Sequence, residues 1–278
     1  MQLPLFAVDE VIRTALQEDI HYLDTTTDLM IPADSRSTAR FLAKAEGVVC
    51  GMEIAMRVFT LLDDSFTCRV YVQDGDPVKP GDVLAECEGS TRFLLKGERT
   101  ALNLLQHLSG IASATNRAVK LVEGTRATIT DTRKTLPGLR ALQKYAVTVG
   151  GGKNHRFNLS DGAMLKDNHI DAAGGITPAV NALRSRLGHM VKLEVETRNL
   201  DEVKEALAAG ADIIMLDNMS CEDMRRAVEL AAGRVPLEAS GGITAETLRK
   251  VAETGVDIIS IGALTHSVKA LDISMKIK

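Results

Sequence analysis

The sequence predicts an α/β protein, a parallel α/β barrel in its C-terminal part behind a separate α+β domain, and three observations predict it. Short β-branched runs at 192–196 (KLEVE), 212–216 (DIIML), 235–240 (VPLEAS) and 257–261 (DIISI) recur every twenty-odd residues, a spacing that suits one βα unit. Helix-like segments between them open on Asn199, Ser220 and Thr244, each a capping residue, and run toward Gly210, Gly233 and Gly255, which suit C-terminal caps. The chain before them lacks that beat. Strand and helix in strict alternation mean a parallel sheet. A barrel is preferred to an open doubly wound sheet because no GxGxxG follows any of these strands.

Taken in order, the chain opens with an amphipathic helix near 8–18, strand-like stretches around 37–50 and 68–72, and a turn-rich segment, GDPVKPGD, at 75–82. A long Leu- and Ala-rich helix at 99–122 connects this α+β domain to the barrel. Two further buried strands are expected at 127–131 (ATITD) and 163–167 (AMLKD), separated by a helix that starts near Pro137 and ends at 150–152. The predicted domains are therefore 1–110 and 111–265, with the tail at about 266–278 expected to pack with the first.

A chain of 278 residues, 45% hydrophobic and 25% charged, can bury a core without disulfides. Cys50, Cys68, Cys87 and Cys221 are scattered, with no CxxC pair, and read as reduced thiols. The N-terminus has no basic region before Asp9 and Glu10, and no apolar run reaches membrane-spanning length, so the expected location is cytoplasmic. A net charge of −4 gives no global field for nucleic acid or an anionic membrane. Any anion site must be local.

Barrel chemistry sits at the C-terminal ends of the strands. Read there, the sequence gives Asp131 with Arg133 and Lys134, then Lys166 with Asn168 and His169, then Glu194 and Glu196, Asp217 and Asn218, Ser240-Gly241-Gly242, and finally Gly262. The segment GGGKNHR adds Lys153, His155 and Arg156. One basic loop residue is ordinarily a solvated charge, but five or six at one barrel mouth repel unless an anion neutralises them. They call for a polycarboxylate, a pyrophosphate or both. Glycine turns after the last two strands suit a phosphate. Glu196 and Asp217 suit Mg²⁺ or sugar hydroxyls, the alternative being salt bridges to neighbouring strand-end cations.

The motifs DTRKTLPGLR (131–140), GGGKNHR (150–156), LSDGAMLKDNHI (159–170), LEVE (193–196), IIMLDNM (213–219), EASGGI (238–243) and SIGALTHS (260–267) resemble those of the quinolinate phosphoribosyltransferases. The resemblance runs nearly end to end, through AKAEGVVCGME and GERTALNLLQHLSGIA upstream. It implies an incomplete, seven-stranded, TIM-like barrel of the type II phosphoribosyltransferase kind, and a homodimer with a shared active site. It further implies that Arg133, Lys134, His155, Arg156 and Lys166 bind quinolinate and pyrophosphate, with Arg99 supplied by the other subunit. Glu196 and Asp217 would take the ribose hydroxyls or Mg²⁺, and Ser240, Gly241, Gly242 and Gly262 the 5′-phosphate. Lys134, Glu196 and Asp217 would be the catalytic set. Asn158 replaces the family's usual glycine after HR-x, and Thr148-Val149 replaces a basic-Cys pair. The alternatives are a molybdenum-transport-associated relative of the same fold and a class I aldolase using Lys134 or Lys166 as a Schiff base. A carrier module is a third, suggested by the segment at 74–86, which lacks a modifiable hairpin lysine.

Overall fold

A computed structural model describes residues 3–278 and divides the chain into two compact units. The first comprises the chain up to Asn116, Thr135–Gly151 and Leu264–Lys278; the second comprises Arg117–Lys134 and Gly152–Ala263. The elements follow in the order α1 (Leu5–Asp19), α2 (Thr25–Met30), β1 (Arg36–Ala43), β2 (Gly47–Val48), α3 (Met52–Thr60), β3 (Thr67–Val70), β4 (Pro77–Val78), β5 (Val83–Ser90) and α4 (Thr91–Leu121). Next come β6 (Thr128–Thr130), α5 (Arg140–Val149), β7 (Ala163–Leu165), α6 (Asp167–Ala173), α7 (Ile176–Arg184), β8 (Leu193–Thr197) and α8 (Leu200–Ala209). The chain ends with β9 (Ile213–Asp217), α9 (Cys221–Ala231), β10 (Leu237–Ser240), α10 (Ala245–Ala252), β11 (Ile258–Ser260), α11 (Ala263–His266) and β12 (Ile273–Ile277).

In the first unit a four-stranded antiparallel sheet runs in the order β12-β1-β5-β3. Its core is apolar at helical and strand periods: Val8, Ile12 and Leu16 of α1 are buried at four-residue steps, and Phe41 of β1 meets Phe59 of α3 edge to face at 6.0 Å. Helix α4 begins at Thr91, ahead of the start expected at Arg99, because Gly97 does not break it. A side chain there would strike the Phe59 ring at 2.8 Å, so the glycine serves close packing. Helix α5 begins at Arg140 and not near Pro137, since Gly138 takes a left-handed φ of 77°. This segment, assigned by sequence to the barrel, falls in the first unit: Gln143 Nε2 donates to the Thr265 carbonyl at 3.0 Å, and the Tyr145 hydroxyl donates to Asp74 at 2.8 Å.

The second unit holds an all-parallel sheet in the order β6-β11-β10-β9-β8-β7. The register fixes which side chains share a face, because in-register neighbours point the same way and residues two apart along a strand agree. Pairs Thr130↔Ser260, Glu238↔Met215, Ser240↔Asp217, Glu196↔Met215 and Met164↔Glu194 put these residues on one face. The other face carries Ile129, Ile259, Ala239, Leu216, Val195 and Leu165, all buried. Lys153 bridges Thr130 in parallel and so lies outside β6, its N–H donating to the Ile129 carbonyl at 2.8 Å. Laid flat, that segment and β8 would stand five strand spacings apart, roughly 24 Å. Yet His155, two residues beyond Lys153, reaches Glu194 of β8 at 3.0 Å. The sheet is curled into a barrel with the polar face inside. Among the described residues, no helix is long and apolar enough to cross a membrane.

Candidate active site

The segment after β6 starts from Asp131, whose fully buried side chain accepts the His155 N–H at 2.9 Å and ties the two loops together. Thr132 Oγ1 accepts the Lys134 N–H at 3.0 Å, a local turn that leaves the Lys134 side chain exposed beside half-buried Arg133.

His155 is held on both sides of its ring. The Arg156 N–H donates to Nδ1 at 2.8 Å, so Nδ1 is the bare nitrogen and Nε2 carries the proton. Nε2 lies 3.0 Å from Glu194 Oε2 and 3.6 Å from Glu238 Oε2. Both glutamates are buried inside the barrel. Burial, and then the adjacent charge of Glu194, push the Glu238 carboxyl up to about 7, while His155 and Ser260 act in the opposite sense.

Arg156 donates through Nη1 to the Gly162 carbonyl at 2.8 Å. Burial, and then the charge of Arg133, lower its pKa, while Glu194 works the other way. Two arginines and a buried carboxylate therefore share one electrostatic environment. Asn158, the departure from the family pattern, closes its own turn by accepting the Ser160 N–H at 2.7 Å, and Asp161 accepts the Phe157 N–H at 2.7 Å.

Across the barrel face, Lys166 Nζ stands 3.2 Å from Glu196 Oε2, so the salt bridge weighed as the alternative role of Glu196 does form. Asp217 accepts from Asn218 Nδ2 at 2.8 Å and pairs in register with Ser240. Gly241 and Gly242 follow with left-handed φ values of 91° and 60°, and a side chain at Gly241 would collide with Asn218. Gly262 follows β11, half-buried. The second unit thus contains every expected site residue except Arg99, which lies exposed on α4 in the first unit.

The carboxylates of Glu194 and Glu238 as partners of His155 were missed at the sequence level. A signal for them existed in LEVE and LEAS, where an acid alternates with buried apolar residues at the period of a strand.

Comparison with known proteins identifies the family. The model for the quinolinate phosphoribosyl transferase N-terminal domain matches residues 24–109, and that for its C-terminal domain matches 111–276. The chain is 48% identical over 260 residues to a probable nicotinate-nucleotide pyrophosphorylase (carboxylating) of Bacillus subtilis, covering 94% of this chain and 90% of that protein. It is 44% identical to the Mycobacterium leprae nicotinate-nucleotide pyrophosphorylase (carboxylating), covering 97% and 96%. The crystal structure of NadC from Streptococcus pyogenes superposes with a TM-score of 0.97 at 45% identity, over 100% of this chain and 99% of that one. With both domain models matched and relatives this similar along their whole length, the chain belongs to the quinolinate phosphoribosyltransferase family.

Proposed function

We propose that this protein is a quinolinate phosphoribosyltransferase: it joins quinolinate to phosphoribosyl pyrophosphate and releases nicotinate mononucleotide, pyrophosphate and carbon dioxide, a step of NAD biosynthesis. The observation that carries this reading is a carboxylate pair, Glu196 and Asp217, on the barrel's polar face beside a glycine turn, with cations on the segments that follow the strands: Arg133 and Lys134 after β6, Arg156 near Glu194, and Lys166 against Glu196.

The pyridine nitrogen attacks the anomeric carbon as pyrophosphate departs through an oxocarbenium-like state, so no side-chain nucleophile is needed. Arg133, Arg156 and Lys166 bind and orient the dicarboxylate, and Lys134 receives charge developing on the pyrophosphate. Glu196 and Asp217 hold the ribose hydroxyls and favour the positive charge on the sugar. Ser240, Gly241, Gly242 and Gly262 accept the 5′-phosphate, the left-handed glycines letting backbone approach it closely. Decarboxylation follows: the C2–carboxylate bond breaks, its electron pair stays on C2 beside the positive ring nitrogen, and a proton from water completes nicotinate mononucleotide.

The residues present fit Mg²⁺. Glu196 and Asp217 are hard-oxygen donors on adjacent strands and the same face. When bound there, directly or through water, Mg²⁺ supplies Lewis-acid stabilisation of the leaving pyrophosphate. We place the enzyme in the cytoplasm as a homodimer that draws Arg99 from its partner, a reading supported by the exposure of Arg99 on α4.

The test is to supply purified protein with quinolinate, phosphoribosyl pyrophosphate and Mg²⁺, with nicotinate as a parallel substrate. Nicotinate mononucleotide and carbon dioxide formed in equal amounts from quinolinate support the reading. No product from folded protein would overturn it.

A further inference from the structure

We infer that Glu194 and Glu238 are positioning residues for the pyridine dicarboxylate, acting through His155 to hold the His155-Arg156 pair in a fixed place under the anion. The inference rests on the proposed function and adds a buried support that the substrate itself does not touch.

Three observations carry it. The side chains of Glu194 and Glu238 are 6% and 2% exposed, and carboxylates that far from water are costly unless opposite charge and hydrogen bonds compensate them. An apolar pair in the barrel interior would serve stability at least as well, so their use needs another reason.

The second observation is the direction of the hydrogen bonds. The ring of His155 accepts the Arg156 N–H at Nδ1 and presents its Nε2 proton to Glu194 at 3.0 Å, with Glu238 at 3.6 Å, while the backbone N–H of His155 donates to Asp131. One tautomer and one ring orientation satisfy all of these at once. Without the carboxylates the ring loses the partners that fix its Nε2 side, and the acceptor of the Arg156 N–H is held less firmly.

The third is chain continuity. Arg156 follows His155 directly, its guanidinium is tied to the Gly162 carbonyl, and it feels both Arg133 and Glu194. An arginine fork reads a carboxylate only if it is placed to within tenths of an ångström. Glu194 therefore orients Arg156 through His155 and offsets the repulsion between the two arginines.

The isosteric variants Glu194→Gln and Glu238→Gln test this, together with His155→Ala and the double variant Glu194→Gln/His155→Ala. Thermal unfolding and near-ultraviolet circular dichroism check the fold. Glu194→Gln should raise KM for quinolinate about tenfold, the scale of one charge-assisted hydrogen bond, and Glu238→Gln by less, because its carboxylate stands 3.6 Å from Nε2, beyond hydrogen-bond reach; each should move KM for phosphoribosyl pyrophosphate by less than about twofold. On the His155→Ala background, Glu194→Gln should add less than about twofold, because the path it acts through is gone. Imidazole ¹⁵N spectra should show an Nε2–H tautomer for His155, assigned by its loss in His155→Ala, and a shifted signal in Glu194→Gln. If Glu194→Gln does not fold, Glu194→Asp, which retracts the carboxylate by one methylene, is read in the same assays. Equal changes in both KM values, or a full multiplicative effect on top of His155→Ala, would overturn the inference. A wild-type protein inert toward quinolinate would sink the proposed function instead, leaving the spectra to report on the His155–Glu194 contact.

Discussion

Glu238 gives up water to sit inside the barrel beside Glu194, and its carboxyl is pushed up to about 7, by burial first and by that neighbour second. A folded-state value above the unfolded one, near 4.5, means that the folded chain binds the extra proton. The stabilisation from this group is then fully present below about pH 4.5 and lost as pH rises through 7. The full shift corresponds to a loss on the order of 3 kcal/mol. Glu238→Gln, which cannot ionise, should therefore gain thermal stability relative to wild type between pH 5 and pH 8, as paired melting curves at the two pH values would record. A gap between the two proteins that does not change with pH would show that the carboxyl is not perturbed. On the proposed mechanism Arg133 orients the dicarboxylate and Lys134 meets charge developing on the pyrophosphate, so Arg133→Ala and Lys134→Ala should each lower kcat/KM by on the order of 10²-fold with melting temperature little changed. Unaltered kinetics in either variant would remove that residue from the site.

Elements place these residues, and the turn after β10 shows how. Gly241 adopts a left-handed φ of 91° where a side chain would meet Asn218, itself at φ 53° beside Asp217. Gly241→Ala should cost about 1 kcal/mol or more in stability and, on the proposed phosphate role of this turn, raise KM for phosphoribosyl pyrophosphate more than KM for quinolinate. Steady-state kinetics with each substrate varied in turn would check it, and an equal rise in both would deny the turn a phosphate role. The six parallel strands were legible in the sequence because a buried β-branched run bounded by caps has few other readings: KLEVE, DIIML and DIISI became β8, β9 and β11 within one or two residues. Lys153 was not legible as an outer strand position, because it makes a single bridge and belongs to no apolar run. The start of α4 was misplaced because Gly97 is a helix breaker by propensity, and only its contact with Phe59 explains its presence. The site was legible as a list of charges at strand ends. Its inner layer was not, since an acid alternating with Val or Ala looks like any half-exposed strand until the register closes the barrel and buries it.

At the scale of the whole molecule, Arg99 belongs to the first unit and the other site residues to the second. If the site is shared across a dimer, that separation has a consequence that can be measured by mixing. Chains carrying Arg99→Ala retain Lys134, and chains carrying Lys134→Ala retain Arg99. Each homodimer has two damaged sites and should be nearly inactive. In a mixed dimer one site combines Lys134 from one chain with Arg99 from the other and is intact, while the second site carries both substitutions. Random reassortment of equal amounts makes about half of the dimers mixed, so about a quarter of all sites, and about a quarter of wild-type activity, should return. Subunit exchange in mild denaturant followed by the quinolinate assay would measure this, with sedimentation velocity confirming that dimers re-form. If each chain used its own Arg99, every site in a mixed dimer would still carry one lesion, and reassortment would restore nothing. Recovery near a quarter therefore places Arg99 in the partner's site, its absence from well-formed dimers assigns Arg99 to its own chain's site, and an Arg99→Ala homodimer that keeps full activity would place it in no site at all.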